Sequence, residues 1–221
     1  SDEAAVYCNG GSKHSTNHQH YDAGAFQIWF RGLLAADIGE YQSSYGNTYD
    51  MNFDKRSIAH NMLRVYDPAE YWGRYDNDGG VRLLPRAAKD PKGYENPLLD
   101  YGKTTSVSIG PDKMRPIYSF MATDLTSAYS KKIKDYTRIV LFLNQGEKER
   151  PASFIVLDLC EAAKAEFPKI FQVSTYLPPV LKPDFVGLAN ENGGRADMQI
   201  YFPKQVKITD YADENSASNP L

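Results

Sequence analysis

Hydrophobic and polar positions alternate with a period of two through much of this chain, the repeat of a strand with one face against a core. Residues 25–30, Ala-Phe-Gln-Ile-Trp-Phe, read as a strand. Arg31 and Gly32 then turn the chain into the apolar run 33–38, so the two segments predict a hairpin. Residues 58–66 predict the next strand. Further strands are expected over 116–124, 137–144, 153–160, 171–177, 198–202 and 205–209, each bounded by Gly, Pro or Asn. Only 127–133 and 161–165 fit a helical turn or two. Between 67 and 105, turn signals at Asp67-Pro68, Asp78-Gly79-Gly80 and Asp90-Pro91 predict a long excursion with little regular structure. Many short strands with turns between them predict an all-β fold, a large antiparallel β-sandwich or barrel forming one domain over 1–221. Its polar end, 211–221, is expected to be a flexible tail.

The 221 residues are enough to bury a real core, and 42% of them are hydrophobic, as in ordinary globular proteins. Charges are mixed, 25 basic against 28 acidic for a net of −3, which argues against a strongly basic nucleic-acid binder. No apolar run approaches the length of a membrane span, so neither nucleic acid nor membrane is an expected partner. The composition leaves room for a homo-oligomer. The chain starts in polar sequence without an initiator Met or a signal-peptide pattern, and reads as a processed or truncated piece of a longer protein. Cys8 and Cys160 are too far apart for a Cys-x-x-Cys motif and read as two free thiols.

Candidate chemistry concentrates in one place. The four histidines, His14, His18, His20 and His60, all fall in the first sixty residues of the chain. Histidine is the side chain suited to moving protons near neutral pH or binding a borderline metal. Asp37, near the end of the apolar run 33–38, is a carboxylate that is costly to bury without a cation or several donors. Strand pairing can bring His20, before the first strand, beside Asp37 on the second, with His60 arriving from the third. Two imidazoles and a carboxylate make a sound set of zinc ligands. Equally, Asp37 can bond a neighbouring backbone group or Arg, with His60 a satisfied core histidine. His18 either pairs with His20 as a His-x-His metal site in an extended segment, or diverges in a bent one and is left as an acid or base. His14 reads as an exposed loop residue.

Most of the sixteen tyrosines and two tryptophans are expected to be packing. Tyr41, Tyr45, Tyr49, Tyr71, Trp72 and Tyr75 fall in loops and are candidates for ligand contact. Lys55, Arg56, Arg64, Arg74, Arg82 and Arg86 either attract a polyanion or form a mixed solvated surface with the acids between them.

The segments His18-Gln-His-Tyr-Asp-Ala-Gly-Ala-Phe-Gln-Ile28, Gly32-Leu-Leu-Ala-Ala-Asp-Ile-Gly39 and Lys55-Arg-Ser-Ile-Ala-His-Asn61 resemble the C-terminal half of heparinase II/III-like polysaccharide lyases. The later strands, including 137–144 and 192–200, are similar to that family's β-sandwich. The resemblance implies an N-terminal (α/α) toroid, outside this chain, joined to a β-sandwich with a polysaccharide cleft between them. It implies β-elimination on an acidic polysaccharide, a uronic-acid glycosaminoglycan such as heparin or heparan sulfate. On it His18 is the catalytic histidine, and His20, Asp37 and His60 hold a structural Zn²⁺. A periplasmic or secreted location follows from the same likeness, and the chain alone is expected to be inactive. Two other classes fit the histidines: a cupin-like oxygenase, whose iron takes two His and one carboxylate, and a non-catalytic glycan-binding sandwich.

Overall fold

The computed structural model describes residues 3–13, 18–39, 46–83 and 91–211. Its strands are β1 (Ala4–Cys8), β2 (Ser12–Lys13), β3 (Phe26–Phe30), β4 (Leu33–Ala35), β5 (Leu63–Val65), β6 (Asp100–Tyr101), β7 (Lys103–Gly110), β8 (Tyr118–Asp124), β9 (Ile133–Asn144), β10 (Ala152–Ala162), β11 (Lys169–Phe171), β12 (Val180–Lys182), β13 (Phe185–Ala189) and β14 (Arg195–Gln199). The fold is all-β, with every pairing antiparallel. The largest sheet runs β10-β9-β8-β7, and smaller ones run β1-β3-β4, β12-β13-β14, β11-β5 and β2-β6. The expected hairpin is β3–β4, turning through Arg31 and Gly32, both at positive φ. Residues 212–221, most of the expected tail, and His14 lie outside the described residues.

Several elements differ from the sequence pattern, each for a local reason. Residues 58–66 are not one strand: a 3₁₀ turn, Ser57–Ala59, precedes the short β5. Its ladder with β11 stops early because the Asn61 side chain intervenes. Asn61 donates to the Phe26 carbonyl at 2.8 Å and accepts from the Ser174 amide at 2.6 Å. Ser174 is thereby drawn away from strand pairing, so 172–177 is irregular. Residues 161–165 form no helix; β10 continues through a bulge between Glu161 and Ala162. Residues 205–209 form no strand. The start of the chain, read as polar loop, supplies β1 against β3.

The large sheet is pinned to the segment preceding β3 by one buried cluster. Arg138 on β9 sits opposite Asp158 on β10 and holds it through Nε and Nη2, both at 2.7 Å. Its Nη1 donates to the Gly24 carbonyl, while Tyr136 donates to Asp158 at 3.0 Å. Phe154 on the same sheet face meets Phe26 on β3, ring centroids 5.4 Å apart. Gly24 is at φ +87°, and a side chain there would collide with Leu125. The main core includes Tyr21, Met62, Val65, Tyr101, Leu125, Tyr129 and Tyr136; a second cluster gathers Phe30, Leu34, Ala35 and Leu188.

Candidate functional site

Three separate segments deliver His20, Asp37 and His60. The Tyr21 amide bonds the Lys55 carbonyl at 2.8 Å, tying the histidine-rich segment to the stretch that leads to His60. Ser57, fully buried, donates to the Tyr21 carbonyl at 2.7 Å and accepts from the Val81 amide at 2.9 Å. His60 closes the 3₁₀ turn, its amide bonded to the Ser57 carbonyl. Asp37 follows β4, and the next residue, Ile38, bonds the Ala59 carbonyl at 2.9 Å, which sets Asp37 beside His60. Gly39, at φ +131°, has no room for a Cβ because Asp54 packs against it.

The side chains form a row with His60 in the middle. Its Nδ1 lies 3.0 Å from Asp37 Oδ1, and its Nε2 lies 3.3 Å from His20 Nδ1. Between the two rings one nitrogen donates and the other accepts, as the tautomers decide. The Asp37 contact is close but out of hydrogen-bonding alignment, and both atoms are buried without a hydrogen-bond partner. Gln27 on β3 donates to the other oxygen, Asp37 Oδ2, at 2.6 Å. His60 is only 2% exposed. Among the described residues, no three His, Cys, Asp or Glu side chains converge on a point where an ion is held; the three expected ligands meet in line.

The surroundings are acidic. Burial pushes the Asp22 carboxyl up, against the pull of the His60 and His20 imidazoles. Burial also raises Asp54, which lies near His20 and Asp50. His20 is pushed down by burial first and by His60 second. Carboxylates crowding two imidazoles favour a cation or bound protons there. His18 is exposed, in a turn two residues before the half-buried His20, so the segment is bent rather than extended.

Other expectations fare differently. Lys55, Arg56 and Arg64 are buried rather than facing a polyanion. Arg56 stacks on Trp72 at 3.6 Å and on Tyr21 at 4.7 Å, and pairs with Asp78 at 3.1 Å. Trp72 is therefore core, not a ligand platform. Arg64 donates to the Asp78 carbonyl at 2.7 Å, and Lys55 lies 3.7 Å from Asp50. Arg82 is spent on backbone carbonyls of Ser127, Leu98 and Asp100. Tyr71 and Arg74 are exposed, the latter resting on Tyr75. Tyr41, Tyr45 and Arg86 lie outside the described residues. Cys8 and Cys160 are free thiols, each pushed up to about 11 by burial. Sequence reasoning missed Gln27, Asp22 and Asp54. A glutamine inside the apolar run 26–30 was a readable signal for the first; the turn that places Asp54 had none.

Comparison with known proteins finds no matching family model and no match among curated proteins.

Proposed function

We propose that this chain is the β-rich part of a heparinase II/III-type polysaccharide lyase, its sandwich completing a cleft with a helical toroid. The substrate is a uronic-acid glycosaminoglycan, heparin or heparan sulfate foremost, and the setting is periplasmic or secreted. The reading rests on one observation: three separate segments bring His20, Asp37 and His60 into contact, with the exposed His18 two residues away.

In β-elimination a base takes the proton from C5 of the uronate. The electron pair left behind forms the C4–C5 double bond as the C4–oxygen bond breaks, and the departing sugar oxygen takes up a proton. His18 is exposed enough to serve as that base, or to neutralise the uronate carboxylate that makes C5–H acidic. The acid that protonates the leaving oxygen belongs to the toroid, so the chain alone is inactive.

The donor set suits Zn²⁺: two imidazoles and a carboxylate, with Asp37 Oδ1 and His60 Nδ1 buried and lacking hydrogen bonds. His20, Asp37 and His60 would hold the ion, which supplies structural bracing at this junction. Because the two nitrogens of His60 face different neighbours, taking up the ion requires one of those contacts to give way. Gln27 keeps Asp37 oriented for this role, as outer hydrogen bonds to metal ligands generally do.

The test is ultraviolet absorbance from the new double bond when the chain, joined to its toroid, meets a panel of uronate polysaccharides. Absorbance should rise and fall about 10²–10⁴-fold in His18→Ala with the fold unchanged. No absorbance with any uronate polymer, or full activity in His18→Ala, contradicts the reading. Iron in place of zinc would favour an oxygenase.

A further inference from the structure

The large sheet has apolar residues on both faces; among the described residues, the centre of one face packs against the β3 segment while the other face is left open. Residues paired across antiparallel strands project to the same side. Val140, Arg138 and Tyr136 are buried on the side facing β3, where the half-buried Phe154 meets Phe26. On the other side Ile155 pairs with Leu141 and Leu157 with Ile139, while Leu141 also pairs with Phe120 on β8. Ile155, Leu157 and Leu159 are 49%, 46% and 51% exposed. Neither core cluster contains any residue of this outer face. Contiguous exposed apolar surface of this kind marks an interaction site.

We propose that this face is where a second copy of the chain packs, sheet against sheet. Three observations select that occupant. The histidine row lies on the opposite side, with the segment that Arg138 and Phe154 hold, so a partner completing that cleft does not cover Leu157. On this outer face, in the rows from Ser153 to Leu159, β8, β9 and β10 carry one charge, Asp124, at a corner beside Lys103 on β7. A two-fold interface sets a patch against itself, and this patch brings no like charges together at its centre. Size fits as well. Four strands about 4.8 Å apart and roughly seven residues long, at about 3.3 Å each, cover on the order of 450 Å² in projection. Two such faces bury on the order of 900 Å² in projection, and side-chain relief adds to this, toward the roughly 1,000 Å² that a specific interface needs. The inference stands apart from the lyase reading.

Sedimentation equilibrium of the full chain at tens of micromolar tests it. The wild type should be a dimer. Leu157→Glu should raise the dissociation constant at least tenfold with an unchanged circular dichroism spectrum; Ile155→Lys is the second variant should the first not fold. Val107→Glu, on the other face and 63% exposed, should remain dimeric. A monomeric wild type overturns the proposal. So does a dimer indifferent to both outer-face variants, or one that Val107→Glu dissociates.

Discussion

Two polar clusters, one buried and one half-buried, flank the segment 20–27 and are finished differently. In the Arg138–Asp158–Tyr136 cluster, Asp158 takes two bonds from the guanidinium and one from the tyrosine, while the third guanidinium nitrogen is spent on Gly24. In the Asp37–His60–His20 row, Asp37 Oδ1 and His60 Nδ1 touch without a hydrogen bond. Burying polar groups is tolerable when they are satisfied and costly when they are not. The first cluster is therefore complete as a structural clamp. The second has bonding capacity to offer a ligand.

The comparison breaks if the clamp turns out dispensable. Arg138→Ala leaves Asp158 buried without its cation and should lower stability by about 3–5 kcal/mol, read as a shift in the urea midpoint. A loss within experimental error would mean the clamp carries no load. A smaller effect sharpens the other side. Gln27→Leu should weaken zinc binding about 10–100-fold in competition with a chromophoric chelator, while barely moving the urea midpoint. Unchanged affinity would show that Asp37 needs no orienting partner. Smallest is the thiol chemistry. With Cys8 and Cys160 pushed up to about 11, both stay protonated at pH 8 and should react with a disulfide reagent about tenfold or more slower than free cysteine. The sign for stability follows: the unfolded thiols lose their protons at lower pH than the folded ones, so alkali destabilises the fold. Fast labelling of the native chain at pH 8 would contradict this.

The difference between the clusters also explains what could be read beforehand. Strands β8, β9 and β10 were legible within a few residues because apolar runs such as 137–144 and 153–160 carry strong strand signals. Their apolar outer positions were in plain view, yet the pattern does not say which face is covered. The strand expected at 58–66 failed because Asn61 replaces ladder bonds with side-chain bonds, a competition that periodicity does not register. At the site, His20, Asp37 and His60 stood out as polar residues beside apolar runs, and the fold brings them together. Their in-line order was not legible, because it depends on how the Ser57–Ala59 turn aims His60. The burial of Arg56 and Arg64 escaped for a similar reason: Asp78 and Trp72, their partners, come from a loop with no period to read.

Titration of the purified chain with Zn²⁺, followed by calorimetry, decides whether His20, Asp37 and His60 form a metal site. One ion per chain should bind, with binding lost in His20→Ala, Asp37→Asn and His60→Ala alike and retained in His18→Ala. No binding by the wild type, or binding untouched by those three substitutions, would contradict it.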